Sequence, residues 1–186
     1  MSRSTSFVSL HDPETCWKDP DAKSIAYFAK RPNVRLSRTV IEEIKEMAQQ
    51  TGKNVRLSLH RSPNADLHEM IICQLAGQYN RPKRHLTKAQ SFHIMEGEMV
   101  VFVFDNDGAV IDTGVLDGKS SLIYRIGRDI YYTGIALTPY AIYYETTLGP
   151  FLGPAEQRIF APFSPDETDH SAYLAYRDRL LELIGR

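Results

Sequence analysis

The first regular pattern of hydrophobic residues along the chain has a helical period and begins at Val40. Apolar residues recur every three to four positions up to Ala48, which is typical of an amphipathic helix. Thr39 and Glu42 have capping-box spacing, and Ser37 is an alternative N-cap. Gly52 stands where a glycine ends a helix. The pattern therefore predicts a helix that begins at one of two caps and stops just before Gly52.

From Val55 to Thr147 the period changes to two, which is typical of half-buried strands. Turn residues separate the apolar runs, and Asp105-Asn-Asp-Gly108 is predicted to be a tight hairpin turn rather than a calcium loop. Short strands at this regular spacing favour a β-sandwich or barrel. The predicted strands are Val55–Leu59, Glu69–Leu75, Phe92–Met95, Met99–Phe104, Ala109–Thr113, Leu122–Ile126, Ile130–Leu137 and Ala141–Thr147.

The two ends of the chain differ from this middle part. Residues 1–36 are interrupted by prolines, and we expect an arm that packs on the main domain through Trp17, Tyr27 and Phe28. Residues 166–186 carry a second helical period, which predicts a C-terminal helix docked on the barrel or on a partner subunit. Residues 37–165, the first helix and the barrel, complete a single domain.

Composition excludes several classes of function. The chain has 186 residues, 42% hydrophobic and 24% charged, with a net charge of −1. This balance gives no attraction toward nucleic acid or an anionic membrane, and no apolar run approaches the roughly 18 residues that a membrane span needs. Cys16 and Cys73 lack metal-type spacing. We expect a cytoplasmic protein, since two separate thiols and no signal core favour a reducing compartment.

One stretch, Gly77 to Gly97, resembles the first motif of the cupin superfamily, G-x5-H-x-H-x4-E-x6-G. Both glycines and the second His (His85) are kept at that spacing, but Lys83 replaces the first His and Gln90 replaces the Glu. The second cupin motif places Ile130 where a fourth ligand, a His, is expected. The resemblance implies a mainly β, cupin-type jelly-roll barrel whose metal site is degenerate.

The resemblance is closer to the WbuC family, small cupin-fold proteins often encoded with bacterial surface-polysaccharide genes. It extends over about residues 37–165 and includes Val55-Arg-Leu-Ser-Leu-His60, Arg81-Pro-Lys-Arg-His85 and Phe160-Ala-Pro-Phe-Ser-Pro165. The family carries Pro-His-x-His and a following Glu, which this chain lacks. The resemblance implies a carbohydrate or nucleotide-sugar intermediate as ligand.

The replacements change the chemistry expected in the barrel. An ammonium offers donors and no lone pair, so Lys83 repels a cation and favours an anionic or oxygen-rich ligand. The side chains expected to line the pocket combine those of the motif with others of the same strand face or of family positions. They are Lys83, His85, Gln90, Arg81, Tyr79, His60, Arg56 and Arg125.

Several alternatives remain open at this stage. Lys83 either reaches the pocket as a cation or extends to the rim, and a buried Lys with a lowered pKa is able to act as a base or amine nucleophile. A metal enzyme would bind Fe, Mn, Ni or Zn through His85 and His60. A third hypothesis is a homodimeric structural module with a filled barrel. We expect no cofactor, and a small-molecule ligand with a homodimer as partners.

Overall fold

The computed structural model describes residues 7–151, 153 and 158–186. Ten strands and two helices form in this part of the chain. In chain order they are β1 (Cys16–Lys18), β2 (Ile25–Ala29), α1 (Arg38–Thr51), β3 (Val55–Ser58), β4 (Leu67–Leu75), β5 (Lys83–Arg84), β6 (Gln90–Phe104), β7 (Val110–Leu116), β8 (Ile123–Ile126), β9 (Tyr131–Leu148), β10 (Ile159–Phe160) and α2 (His170–Glu182).

Two long strands, β6 and β9, form the centre of the barrel. They pair antiparallel from Gln90–Thr147 to Phe104–Tyr131. The other edge of β9 pairs with β4 and with the short β5, and the other edge of β6 pairs with β7 and β8. Strands β1, β2 and β3 extend the sheet beyond β4. The predicted mainly β architecture with a helix on each side of the main run of strands is confirmed.

The sequence predicts two strands where β6 runs unbroken, and again where β9 does. In β6 the register shifts on both sides of Gly97, so a bulge bends the strand without ending its pairing. Gly97 has φ +75°, and a Cβ there would lie 2.3 Å from the Tyr140 carbonyl oxygen. The bend therefore requires glycine at this position of the cupin motif.

Alternate residues of β6 are buried on opposite faces of the sheet. Met99, Val101 and Val103 enter the barrel interior, whereas Phe102 and its neighbours on the other face pack under α2 with Leu180. A third cluster joins α1 to the outer face of β3 and β4. With both faces covered, positions 99–104 of the strand are all apolar, and burial of this kind is the main source of stability.

The arm is more regular than predicted. Its apolar piece is β2, which pairs parallel with β3, and β1 pairs with β2. The predicted anchors are in place: Trp17 stacks on Phe28 with ring centroids 4.9 Å apart, and Tyr27 and Phe28 are buried. Residues 1–6 of the arm lie outside the described residues.

The helix ends match the cap chemistry of the sequence. Ser37, one of the two predicted N-caps, accepts a hydrogen bond from the Val40 amide, and Gly52 ends α1 at φ +65°. Asp169 caps α2 through the Ala172 amide. The Asp105–Gly108 segment forms the predicted turn between β6 and β7, closed by the Asp105 amide on the Ala109 carbonyl. Neither helix of the described residues has the length and apolar character of a membrane span.

Candidate functional site

Strand register places one carboxylate on the inner face of the barrel. Glu145 in β9 pairs with Met70 of β4 on one side and with Phe92 of β6 on the other. Paired positions share a face of the sheet, and Phe92 belongs to the interior cluster. Ser58 pairs with Met70 in turn, so its hydroxyl faces the same way. Glu145 therefore points into the barrel.

Lys83 approaches this carboxylate from β5. It pairs with Tyr132 of β9, and its Nζ lies 5.6 Å from the centroid of the Tyr132 ring. Burial lowers the pKa of Lys83, the Glu145 carboxylate acts to raise it, and Arg158 and Lys23 add to the lowering. The Lys83 amine therefore lies beside the Tyr132 ring and within the electrostatic influence of Glu145.

Burial and neighbouring charges also act on the pKa of Glu145, but each shifts it in the direction opposite to its effect on Lys83. Burial raises the pKa of its carboxyl group, while Lys83 and Arg56 act to lower it. No described residue lies within hydrogen-bond or ion-pair distance of this carboxylate. Lys83 and Arg56 therefore lie near the Glu145 carboxylate without forming an ion pair with it.

Two guanidinium groups complete what we call the interior cluster, which consists of Arg56, Lys83, Glu145 and Arg158. Burial lowers the pKa of both arginines. For Arg56 this effect is opposed by the charge of Glu145 and then by that of Asp19. For Arg158 it is opposed by Tyr132. An arginine nevertheless stays charged in a protein. Arg158 also lies over the Phe160 ring, 4.9 Å from its centroid.

Several buried polar atoms near the interior cluster have no hydrogen-bond partner among the described residues. They are Nε of Arg56, Nε of Arg158, Nε2 of Gln90 and Oγ of Ser58. Gln90 is 6% exposed and Ser58 is fully buried. By contrast, Gln74, deeper in the barrel, donates to the Gly134 carbonyl and accepts from the Tyr143 hydroxyl. Two of the unpaired donors thus belong to the arginines of the interior cluster, and others lie outside it, at Arg84 and Tyr176.

Aromatic rings form a wall beside the cluster. Phe92 meets Tyr143 edge-on at 5.5 Å and Tyr132 at 6.1 Å between centroids. Burial raises the pKa of both tyrosines well above the usual value, so they are neutral hydroxyls at physiological pH. His85 lies 6.4 Å from Tyr132, between ring centroids. The structure thus brings the predicted residues Lys83, His85 and Gln90 together around Tyr132.

His60 occupies a separate position at the end of β3. Its ring stacks on His68 with centroids 4.2 Å apart and meets Phe28 edge-on. Burial lowers the pKa of His60 to about 4, and His68 and Arg56 act in the same direction against a backbone hydrogen bond to Glu69. His60 is therefore a neutral, packed ring in the folded protein at physiological pH.

Three of the predicted residues lie away from the cluster. Tyr79 stacks on Tyr173 of α2 at 4.9 Å, and Arg81 forms an ion pair with Asp166 at 2.6 Å. Arg125 is exposed. Tyr79 and Arg81 share the strand face of Lys83 only if Pro82 does not interrupt the strand, and only Lys83–Arg84 forms one, since Pro82 has no amide to donate to a ladder.

The residues at the cupin ligand positions do not fit a divalent metal ion. An ammonium, an amide and a hydrocarbon replace three of the four expected donors, at Lys83, Gln90 and Ile130. Within the described ranges no group of three His, Cys, Asp or Glu side chains is arranged to hold a metal. The chemistry of this interior is that of charged hydrogen-bond donors and one carboxylate.

Sequence reasoning missed Glu145 and Arg158. Glu145 had a signal: it is a lone acid in an apolar strand, two positions after Tyr143 and therefore on the same face. Arg158 had none, because it lies in the irregular tail just before β10. Only the fold shows that this tail returns to the barrel, where β10 pairs with β5.

Comparison with known proteins finds a family model that matches part of the chain. A model described as "Domain of unknown function (DUF6016)" matches residues 36–116, which covers α1, β3 to β7 and the first cupin-like motif. No curated protein matches the chain.

Similar solved structures agree in part of the chain only. The capsular polysaccharide assembling protein CapF from Staphylococcus aureus is 15% identical with a TM-score of 0.48, and the match covers 56% of this chain but 31% of CapF. KdgF from Halomonas sp. is 16% identical (TM-score 0.41; 52% and 78% covered). L-ribose isomerase from Cellulomonas parahominis, with L-psicose, is 14% identical (TM-score 0.47; 66% and 73%). At these scores no conclusion about function follows.

Proposed function

We propose that the protein binds a small anionic molecule inside its barrel, at the interior cluster. The observation that carries this proposal is the pair of buried guanidinium donors without partners, Nε of Arg56 and Nε of Arg158. A buried donor that makes no hydrogen bond is costly, about 1–3 kcal/mol each and more for a charged group. A ligand rich in oxygen removes that cost, whereas an apolar one does not.

The charge of the cluster supports an anion rather than a neutral ligand. Lys83 and Glu145 together contribute no net charge, whether the proton resides on the amine or on the carboxyl group. The two guanidiniums remain, so the cluster has a charge of +2. At the rim, Asp19 reduces this near Arg56, and Lys23 is paired with Glu167. The excess is positive in a chain whose total charge is −1.

The class of ligand that we propose is a carbohydrate or nucleotide-sugar intermediate of surface-polysaccharide biosynthesis. The WbuC-like sequence pattern favours this class. The aromatic wall of Phe92, Tyr132 and Tyr143 supports it as well, since aromatic rings beside polar groups suit a ligand with both apolar and polar faces. The cupin metal site is lost in this proposal, and Lys83 stands where its first ligand would be.

A ligand panel tests the proposal. Thermal shift and calorimetry would compare nucleotide sugars, sugar phosphates, sugar acids and small carboxylates with neutral sugars. We expect stabilisation by anionic members only, since ligand binding to the folded state raises the melting temperature. If neutral sugars stabilise the protein as well as charged ones do, or if no anionic member stabilises it, the proposal is wrong.

A pair of arginine variants locates the binding site. Arg158→Gln removes one interior guanidinium, and Arg128→Gln removes an exposed one. We expect Arg158→Gln to weaken the binding of any anionic ligand by roughly 10- to 100-fold, the usual range for a charged hydrogen bond. Arg128→Gln should leave affinity unchanged. Equal affinities for the two variants would place the ligand elsewhere.

A further inference from the structure

Glu145 is the feature of the interior cluster that a simple anion site does not explain. In its ionised form, Glu145 repels an anionic ligand, and at close range in a poorly solvated interior this repulsion is strong. A site that only had to hold phosphate or carboxylate would be better with Gln or Ser at this position. The acid therefore calls for a separate reason.

Neutralising a neighbouring cation is one candidate reason, but the geometry supports it poorly. A carboxylate that serves as a counterion closes on its cation with direct hydrogen bonds. Glu145 forms no ion pair or hydrogen bond with any described residue, although Lys83 and Arg56 are both near enough to lower the pKa of its carboxyl group. Its oxygens accept no hydrogen bond from any described residue.

The second reason is recognition of hydroxyl groups. A carboxylate accepts several hydrogen bonds and donates none when ionised, so the ligand groups that satisfy it are O–H or N–H donors. The unpaired donors of Arg56, which acts on Glu145, and of Arg158, which acts on Lys83, require acceptors as well. The interior thus offers acceptors and donors side by side, and they call for a ligand that carries both.

We infer that Glu145 is a specificity-determining residue that binds hydroxyl groups of an anionic sugar, while Arg56, Arg158 and Lys83 hold its anionic group. The inference rests on the proposed function and narrows it, because a plain anion satisfies only half of the site. Sugar phosphates, sugar acids and nucleotide sugars share the required chemistry. Inorganic phosphate and acetate lack the hydroxyl array.

Glu145→Gln separates the two halves of the site. The amide is similar in shape, but it removes the repulsion toward anions and weakens acceptance of hydroxyls. We expect the affinity for inorganic phosphate to rise and that for a sugar phosphate to fall, so that the ratio of the two dissociation constants changes by roughly 10- to 100-fold. Calorimetry on the full chain with glucose 1-phosphate, glucuronate, UDP-glucose and inorganic phosphate measures this ratio.

Two further variants guard against misinterpretation. Glu46→Gln, on the exposed face of α1, should leave the ratio unchanged. Glu145→Asp keeps the charge and withdraws the carboxylate, so inorganic phosphate should stay weakly bound while the sugar phosphate loses affinity. This variant also keeps the inference testable if the Gln variant does not fold.

The outcomes are distinct. A ratio shifted toward inorganic phosphate in Glu145→Gln supports the inference, and a shift toward the sugar phosphate overturns the role of Glu145. Binding of inorganic phosphate by the native protein as tightly as a sugar phosphate, or an unchanged ratio in a folded Glu145→Gln that still binds anions, overturns the role of Glu145 and leaves anion binding intact. Absence of binding by every anion overturns the inference together with the proposed function.

Discussion

His60 couples the stability of the fold to pH through a single ring. Its folded-state pKa is about 4, below the value of 6.5 for the unfolded chain. The unfolded state therefore takes up the proton first as the pH falls. The contribution of His60 to the free energy of unfolding is complete above pH 6.5 and is lost as the pH falls from 6.5 through 4.

Replacement of the His60 ring should reduce the pH dependence of the free energy of unfolding. His60→Phe keeps an aromatic ring in the stack with Phe28 and His68 but has no proton to gain. We expect a smaller loss of unfolding free energy between pH 6.5 and 4 than in the native protein, measured by urea denaturation across that range. His68 retains part of the slope, since burial also lowers its pKa. His11→Asn, at an exposed position, should keep the native slope, and an equally steep loss in His60→Phe would contradict the assignment.

Comparing Gly97 with Gly52 separates two destabilising effects of a side chain at a residue with positive φ: backbone strain and steric clash. Both have positive φ, but a Cβ at Gly52 meets nothing within 4 Å, whereas one at Gly97 meets the Tyr140 carbonyl oxygen at 2.3 Å. We expect Gly52→Ala to cost about 1–2 kcal/mol from backbone conformation alone. Gly97→Ala should cost clearly more, because the clash is with rigid backbone. Denaturant unfolding of the two variants measures the difference, and equal losses would show that the bulge moves freely.

At the scale of elements, the sequence predicts type better than extent. The 3.6-residue period predicts α1 to within a residue or two, since its N-cap and terminal glycine are local signals. The breaks expected within β6 and β9 do not occur, because a bulge bends a strand while its neighbours keep it paired. Around position 83, within the cupin-like motif, only two residues form a strand. Local pattern specifies these elements, but pairing sets their ends.

The residues of the candidate site also differ in how well local sequence predicts them. Motif spacing is enough to bring Lys83, His85 and Gln90 near one another, because they lie on neighbouring segments of one motif. Glu145 and Arg158 come from β9 and from the tail, more than 50 residues later in the chain. Only the strand register and the return of β10 to β5 place them beside Lys83. Long-range pairing of this kind leaves little trace in local sequence.

At the scale of the molecule, α2 closes the second outer face of the barrel. Tyr176 and Leu180 of this helix join Val100, Phe102 and Ile135 in one buried cluster. Its polar contacts are few, and Tyr79 stacking on Tyr173 extends the same interface. The helix has 13 residues, too short to be stable alone in water, so its order depends on this apolar contact.

Two leucines at the end of α2 test this dependence. Leu180 is 3% exposed and Leu183 is 61% exposed, three residues apart. Leu180→Ala should lower the free energy of unfolding by about 2–5 kcal/mol, since it removes buried methyl groups and leaves a cavity over β6. Leu183→Ala should change it by less than about 0.5 kcal/mol. Urea unfolding followed by tyrosine fluorescence measures both. Equal, small losses would mean that α2 is loosely held and that the barrel is stable without it. A large loss confined to Leu180→Ala would show that helix and barrel unfold as one unit.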